Sequence, residues 1–358
     1  METSNVLTRR ELLAGLAGLG AAGVLRGQGT GANPRAIDCH HHFVSPAYIK
    51  ALQAKDGHHT AGYTTWFAVD GLKVYTPAKD VENMDREGVA VSMLSCTTPG
   101  VWFGDPAETR RMAREMNEFG AKIVSDYKGR FGLFALLPLP DIEGSLKEIE
   151  YAFDTLKADG VGLVSSYGSA WLGDPSFRPV FDELNRRRTI VYTHPIDAPC
   201  CQDIMPGVNP PTIEYNTDTA RTIYSLVQGN AQSMPATRYA NINFIFSHGG
   251  GTMPSLVQRF GIGPADTIAD VLARPAEPNS RLYHLRRFFY DCAQSSNPIQ
   301  MQGLKTLVGV SQIVLGSDYP FGSPGKHITG LSKCGFTADE LRSIHRENAL
   351  RILPKFKS

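Results

Sequence analysis

After residue 35 the chain alternates between short apolar runs and longer segments of helical character, and this order leaves few folds open. Eight runs are strand-like, at residues 36–39, 89–96, 131–137, 161–164, 189–193, 243–246, 288–291 and 313–315. Helix-compatible segments lie between them, at residues 80–87, 106–127, 143–158, 176–188, 217–229 and 298–308, and a last one covers 337–353. Continuously apolar strands that are each followed by a helix are typical of a parallel sheet covered by helices. Eight such units predict an α/β fold, the (β/α)8 TIM barrel.

The length of the chain is compatible with a single large domain. At 358 residues it could hold two domains of about 150 residues, but one α/β barrel commonly takes about 250. Since no second core, internal repeat or low-complexity linker follows the first 35 residues, we predict one barrel domain over residues 36–358. The connections at residues 43–79 and 195–214 are long for strand-to-helix loops, so we expect them to border the site at the carboxyl ends of the strands.

Composition and charge exclude several classes of partner. Lys and Arg number 36 against 35 Asp and Glu, and a net charge of +1 gives no electrostatic footprint for nucleic acid or an anionic membrane. With 42% hydrophobic and 20% charged residues, the chain is expected to be globular. The six cysteines show no C-x-x-C spacing, so neither a disulfide framework nor a zinc ribbon is predicted, and we expect them mostly as small core residues.

The amino terminus has the pattern of a targeting segment. Arg9 and Arg10 precede a weakly apolar run at residues 12–25 that is rich in Gly and Ala, and this resembles a twin-arginine export signal. We therefore expect residues 1–32 to be a signal and the protein to be periplasmic; the alternative is a frayed helix on a cytoplasmic protein. The run falls short of the about 20 apolar residues that span a bilayer, so no stable membrane insertion is expected.

Metal-binding side chains stand at the carboxyl ends of several predicted strands. Along the first strand, side-chain alternation places His40 and His42 on one side and His41 on the other. His194 follows the fifth strand, His248 the sixth and Asp318 the eighth. Because these ends meet on one face of a barrel, three imidazoles and a carboxylate predict a site for Zn²⁺ or a similar divalent ion, with His248 nearby. For any one of these histidines the alternative is a hydrogen-bonded core residue. The other five, at positions 58, 59, 284, 327 and 345, are expected on the surface or in loops.

The same residues carry a resemblance to a known family. The chain is similar to the amidohydrolase superfamily, in particular to the branch of aminocarboxymuconate-semialdehyde decarboxylase and the metal-dependent hydroxybenzoate decarboxylases. The resemblance covers residue 37 to the end and depends on Ile-Asp-x-His-x-His, Thr193-His194-Pro195, Ser247-His248-Gly-Gly-Gly and Gly316-Ser317-Asp318-Tyr319-Pro320-Phe321. It implies one metal ion held by His40, His42, His194 and Asp318, with His248 as a catalytic histidine.

Two further positions follow from the resemblance. Dinuclear members of the superfamily place a carboxylated lysine at the end of the fourth strand, where this chain has Leu163-Val164-Ser165-Ser166-Tyr167, which agrees with a single ion. Arg259 matches an arginine that, in the semialdehyde decarboxylase, reaches a neighbouring subunit's pocket to bind a carboxylate. This implies a homodimer; the alternative is a surface arginine on a helix, paired with a local acid.

The predicted reaction is non-oxidative decarboxylation of a small aromatic acid of the salicylate type. Residues 162–171 and 193–195 are most similar to 6-methylsalicylate decarboxylases, which implies 3-methylphenol and CO₂ as products. We expect Asp318 to protonate the ring carbon and His248 to stabilise the substrate's oxygens. Candidates for an aromatic wall against the ring are Trp66, Trp102 and Phe103, whose alternative role is packing. Zn²⁺ is expected first and Mn²⁺ second, and no organic cofactor is required because the metal serves as electron sink.

Two other functions remain open at this point. A metal-dependent hydrolase of a lactone or amide would use the same ligands to lower the pKa of bound water to about 7. A metal-dependent binding protein would hold the same acids without turnover. A serine hydrolase is disfavoured because the chain has no G-x-S-x-G motif.

Overall fold

A computed structural model of the chain describes residues 35–54, 75–202, 204–263 and 267–357. The segment 1–32, for which an export signal is predicted, lies outside these ranges, as do Trp66 and the histidines at 58 and 59. Eight parallel strands pair in chain order: β1 (Ala36–His42), β2 (Val89–Ser95), β3 (Phe131–Leu136), β4 (Gly160–Val164), β5 (Ile190–His194), β6 (Asn243–Phe246), β7 (Phe289–Asp291) and β8 (Ile313–Val314). The chain after β8 returns to β1, since Cys39 N donates to Leu315 O and Asp318 N donates to His40 O, both at 2.9 Å. The predicted (β/α)8 barrel is therefore confirmed.

Helices surround this sheet. They are α1 (Pro46–Ala54), α2 (Pro77–Glu87), α3 (Pro106–Asp126), α4 (Ile142–Glu150), α5 (Arg178–Arg186), α6 (Glu214–Val227), α7 (Pro235–Arg238), α8 (Ile268–Ala273), α9 (Arg281–Arg287), α10 (Pro298–Val308), α11 (Pro324–Ser332), α12 (Ala338–Arg342) and α13 (Asn348–Ile352). Caps explain several starts: Asp105 accepts from Ala107 N before α3, and Asn297 accepts from Gln300 N before α10. None of the helices in the described ranges is long and apolar enough to cross a membrane.

Helix boundaries depart from the sequence prediction in two places. The segment 143–158 is α-helical only to Glu150 and continues as a π turn, Tyr151–Thr155. The segment 337–353 is two short helices, α12 and α13, joined by a second π turn, Ser343–Glu347. Both sequences keep a helical apolar pattern through the turn. Periodicity therefore gives no sign of the longer i→i+5 hydrogen bonds that define a π turn.

Five of the helices were not predicted, namely α1, α7, α8, α9 and α11, and two of them bury histidines that we expected on the surface or in loops. Helix α9 carries His284 and helix α11 carries His327, and both side chains are fully buried. His284 Nε2 lies 3.0 Å from Thr237 Oγ1, and His327 Nδ1 lies 2.8 Å from Ser296 Oγ. Hydrogen bonds to hydroxyl groups thus stabilise both imidazoles in the interior.

The core has two layers that leave the carboxyl ends of the strands open. One layer fills the barrel and contains Ile37, Met93, Phe134, Tyr192, Ile245 and Val314, packed with Leu353 and Phe356 from the end of the chain. The other lies between the sheet and the surrounding helices. Arg346 donates to the carbonyls of Arg35 and Phe356, which ties the last helices to the start of β1. The last residues therefore cover the amino-terminal ends of the strands, opposite the predicted site.

Both long connections contain ordered structure. The first includes α1, and the second includes short 3₁₀ turns at Pro199–Cys201 and Pro210–Thr212. In the second, Cys200 and Cys201 form a disulfide, whereas the other four cysteines are buried and free. The C-x-x-C criterion could not find this pair, because its members are adjacent in sequence.

The Gly249-Gly250-Gly251 turn after β6 allows helix α6 to approach closely. Gly251 has φ +61°, and a Cβ atom there would lie 2.0 Å from the carbonyl oxygen of Asn216 in the first turn of α6. The same carbonyl accepts from Thr252 N at 3.0 Å. Glycine is required at 251 both for the left-handed backbone and for this contact.

Candidate metal centre

Four buried side chains converge at the carboxyl ends of β1, β5 and β8. One donor atom from each of His40, His42, His194 and Asp318 lies within 4.8 Å of every other. His40 Nε2 is 3.0 Å from His42 Nε2, and Asp318 Oδ1 is 3.3 Å and 3.2 Å from these two nitrogens. The ring centroids of His42 and His194 are 4.7 Å apart. Three imidazoles and a carboxylate at this spacing fit the donor set of a divalent ion such as Zn²⁺ or Mn²⁺.

Side-chain alternation along β1 sends His41 to the other side of the strand. His41 Nδ1 lies 3.0 Å from Asp38 Oδ2 and Nε2 lies 2.8 Å from Asp80 Oδ2, while its ring stacks on Tyr319. Burial alone would lower the pKa of His41, but the carboxylates of Asp80 and Asp38 raise it to about 9. His41 is thus a buried cation with a structural role, and it does not face the four donors.

The backbone at Asp318 is held in a conformation that favours glycine. Asp318 has φ +60°, a left-handed value that costs free energy in a residue with a side chain. Its N–H donates to His40 O at 2.9 Å, and its Oδ2 accepts from Gln294 Nε2 at 3.2 Å. The preceding Ser317 donates to Asp38 through both its backbone N–H and its hydroxyl. These bonds direct Oδ1 of Asp318 toward the histidines.

Each imidazole has a hydrogen-bond partner on the nitrogen that faces away from the centre. His40 Nδ1 lies 2.9 Å from Asp291 Oδ2, and His42 Nδ1 lies 3.3 Å from Ser95 Oγ. His194 Nδ1 lies 2.8 Å from the carbonyl oxygen of the following residue. Such partners fix the ring orientation and leave Nε2 for the ion. Sequence reasoning missed Asp291 and Ser95, although both end barrel strands, and strand ends on this face were the available signal.

His248 lies beside the four donors with one nitrogen unused. Its ring centroid is 5.0 Å from that of His40 and 5.8 Å from that of His194. Its Nδ1 lies 3.1 Å from Ala293 O, and its backbone N–H donates to Asp291 Oδ1 at 3.0 Å. Within the described part of the chain, the buried Nε2 atom has no hydrogen-bond partner. This nitrogen is therefore available to a substrate.

Burial and the neighbouring charges set the protonation of the site. Burial lowers the pKa of His42 to about 4, and burial with the His42 and His40 rings lowers the pKa of His194 well below its usual range. Both are neutral, the form that binds metals. Burial opposes protonation of His40 too, but Asp291 and Asp318 raise its pKa to about 10. Burial alone would raise the pKa of Asp318, whereas His40, His42 and His248 hold it well below its usual value.

A largely apolar cavity of about 310 Å³ lies at the ends of β2 to β5. Trp102 and Phe103 line it, while Trp66 lies outside the described residues. Two lining residues are close in sequence to the centre: Cys96 follows Ser95, the partner of His42, and Ile196 is two residues after His194. The remaining apolar walls include Val101, Leu136, Leu137, Leu163 and Val164. The four donors and His248 are not among its lining residues.

Arg259 does not line this cavity. Its exposed side chain borders a separate groove of about 590 Å³, together with Trp171, Arg221, Tyr224 and Phe260. Within one chain, therefore, Arg259 does not line the cavity in which a substrate carboxylate would be bound.

Comparison with known proteins agrees with this architecture. Residues 37–355 match the family model described as amidohydrolase. A 6-methylsalicylic acid decarboxylase of Penicillium expansum is 33% identical over 291 residues, which are 79% of this chain and 84% of that protein. A 2-amino-3-carboxymuconate-6-semialdehyde decarboxylase of Dictyostelium discoideum is 27% identical over 288 residues, 78% of this chain and 77% of that protein. The crystal structure of a dihydroxybenzoic acid decarboxylase from Polaromonas, with bound manganese and 2-nitroresorcinol, superposes with a TM-score of 0.71 at 19% identity, covering 91% of this chain and 98% of that one. The chain is therefore a member of the amidohydrolase family and one of its carboxy-lyases.

Proposed function

We propose that this protein is a metal-dependent, non-oxidative decarboxylase of salicylate-type acids, and that it converts 6-methylsalicylate into 3-methylphenol and CO₂. The observation that carries the proposal is the four-donor centre with the unused His248 Nε2 beside it. An apolar cavity at the ends of β2 to β5 offers room for the ring. The names of the similar decarboxylases support the substrate class.

The ion would be held by His40, His42, His194 and Asp318. The chemistry of this donor set supports Zn²⁺ or Mn²⁺, and the bound manganese of the Polaromonas relative supports the second. When bound, the ion supplies a Lewis acid that draws electron density from the ortho hydroxyl and carboxylate of the acid. No organic cofactor is needed for this reaction.

The protein's own side chains orient the acid and move the proton. The cavity takes the ring, with Trp102 and Phe103 against it, and excludes water. Asp318 accepts the proton of the ortho hydroxyl and delivers it to the ring carbon that bears the carboxylate. The bond from that carbon to the carboxyl group then breaks, CO₂ leaves, and the phenolate takes a proton from solvent. His248 Nε2 hydrogen-bonds the substrate's oxygens.

The apolar part of the cavity wall supports an alkyl substituent on the ring. Val101, Leu136 and Val164 gain about 0.8 kcal/mol for each methylene-sized group that they bury, while Ser166, Tyr167 and Asp197 on the same lining can hydrogen-bond polar groups. 6-Methylsalicylate carries its methyl group on the ring position beside the carboxyl carbon. This supports 6-methylsalicylate within the salicylate class.

We extend the proposal to assembly and location. The exposed position of Arg259 beside a groove supports contact with a second copy of the chain in a homodimer. The Arg9-Arg10 pair before an apolar run supports export to the periplasm, with a cytoplasmic protein as the alternative.

The test is to incubate the metal-loaded protein with 6-methylsalicylate, salicylate and 2,6-dihydroxybenzoate, and to measure CO₂ and the phenol. We expect CO₂ and 3-methylphenol in equal amounts, with 6-methylsalicylate the best of the three. His248→Asn should bind the metal and lose most of the rate, about 10²-fold or more. Acid release from lactones or amides without CO₂ would establish a hydrolase instead. Binding of the acids without turnover would establish a binding protein.

A further inference from the structure

We propose that Asp218 is a positioning residue of this enzyme, which acts through Ser165 to fix the segment that carries His194 and Ile196. His194 belongs to the metal centre and Ile196 is a wall of the substrate cavity. The inference rests on the proposed function for the roles of these two residues.

Asp218 is a fully buried carboxylate on helix α6 that receives hydrogen bonds from two neutral donors. Its Oδ2 accepts from the hydroxyl of Ser165, and its Oδ1 accepts from Trp171 Nε1 at 2.7 Å. Arg221 is its ion-pair partner in the described structure, at 3.8 Å, and is itself closer to Glu214, at 3.3 Å. Burying a carboxylate costs free energy, and here two hydrogen bonds from neutral donors and one cation at 3.8 Å are its partners. This arrangement points to a function for the carboxylate at position 218.

Ser165 transmits this contact to both ends of the segment 194–196. Its hydroxyl accepts from Ile196 N at 3.1 Å, and its own N–H donates to His194 O at 2.9 Å. Its carbonyl accepts from Thr222 Oγ1 at 2.7 Å, one turn along α6 from Asp218. Ser165 follows β4, the strand end at which dinuclear relatives carry their lysine. Helix α6 thus holds the end of β4 and the end of β5 together.

The chemistry of these groups requires an acceptor at position 218. The hydroxyl of Ser165 has one proton, which goes to Asp218 because an ionised carboxylate can only accept, while a lone pair of the hydroxyl oxygen accepts from Ile196 N. The indole N–H of Trp171 is a donor only. An ionised carboxylate accepts from both, whereas the amide of asparagine has one oxygen and would direct an NH₂ group at one of the two donors. Asparagine keeps the side-chain shape but either loses the Trp171 bond or reverses the Ser165 bond, which leaves the Ser165 proton without its acceptor.

The decisive experiment compares Asp218→Asn and Ser165→Ala with the wild-type protein. We expect faster hydrogen exchange at the Ile196 amide in the metal-free protein, and a dissociation constant for Zn²⁺ that rises about 10-fold to 100-fold in competition with a chelator. In the metal-saturated protein, KM for the aromatic acid should rise because Ile196 is displaced. Trp171→Phe removes the other donor and should show the same changes to a smaller extent, which keeps the test open if Asp218→Asn does not fold.

A matched control is Glu148→Gln. Glu148 is a nearly buried carboxylate on α4 that accepts from Asn117 Nδ2 at 2.8 Å and pairs with Arg114, and neither of these partners contacts Ser165 or the segment 194–196 in the described structure. The Glu148→Gln variant should have a lower melting temperature, with unchanged hydrogen exchange at the Ile196 amide and unchanged affinity for Zn²⁺. Unchanged Ile196 exchange and Zn²⁺ affinity in folded Asp218→Asn and Ser165→Ala would overturn the proposal, as would equal losses in Glu148→Gln. Both readouts are independent of the substrate, so a failure of decarboxylation in the wild-type protein would refute the proposed function separately.

Discussion

Replacing Asp291 by asparagine tests how the protein prepares His40 for a metal ion. Asp291 Oδ2 lies 2.9 Å from His40 Nδ1, and both side chains are fully buried. Its Oδ1 accepts from the backbone N–H groups of His248 and Ala293, at 3.0 Å and 2.9 Å. Asparagine can keep these two backbone bonds with its single oxygen, and its NH₂ group then faces His40 Nδ1. That nitrogen must become an acceptor, which places the ring proton on Nε2, the atom that the ion needs.

We expect Asp291→Asn to raise the dissociation constant for the metal about 10-fold to 100-fold, which is about 1.4–2.7 kcal/mol. This is the range found when the hydrogen-bond partner of a metal-binding imidazole is removed. The assay is competition for Zn²⁺ with a chromogenic chelator at constant pH. A matched control is Asp80→Asn, because Asp80 contacts His41 Nε2 at 2.8 Å in an equally buried pair on the other side of β1. This control should lower stability and leave metal affinity within about twofold. Wild-type affinity in Asp291→Asn, or an equal loss in Asp80→Asn, would refute the reasoning.

Three further outcomes follow from the structure. Gly251→Ala should destabilise the protein by about 3 kcal/mol or more in urea unfolding, because of its positive φ and its contact with α6, whereas Gly303→Ala, within α10 and with open space around it, should stabilise it by about 0.5–1 kcal/mol. Burial, with Arg287, lowers the pKa of His284 to about 4, below the unfolded value of about 6.5, so the free energy of unfolding should fall by up to about 3 kcal/mol between pH 6.5 and 4. His284→Gln should flatten this pH dependence, and an unchanged slope would contradict it. Residues 1–35 fused to a folded reporter should direct its export, and conversion of the Arg9-Arg10 pair to lysines should abolish it; a reporter that stays in the cytoplasm in both cases would favour the alternative location.

The strands and the four donors could be predicted from the sequence because they depend on local patterns. Apolar runs located all eight strands to within a few residues, since buried parallel strands have few polar positions. The alternation of side chains along the first strand is enough to separate His40 and His42, which face the four-donor centre, from His41, which does not. The carboxyl-end rule then placed His194 and Asp318 in the same region.

The hydrogen-bond partners of these side chains could not be predicted from the sequence, because they are distant along the chain and have no local signature. Asp291 is separated from His40 by 251 positions, and Ser165 from Asp218 by 53. Nothing in the neighbourhood of Asp218 distinguishes it from an ordinary helix-surface acid until the packing of α6 buries it. The same reason applies to His284 and His327, whose short helices have weak periodicity and whose burial depends on the elements around them.

The most direct test of the account is the rate of CO₂ release from 6-methylsalicylate as metal is added to the metal-free protein. If His40, His42, His194 and Asp318 hold one catalytic ion, the rate should rise in proportion to the metal and reach a plateau at one equivalent for each chain. CO₂ release by the metal-free protein at the same rate, or none after one equivalent is tightly bound, would contradict it.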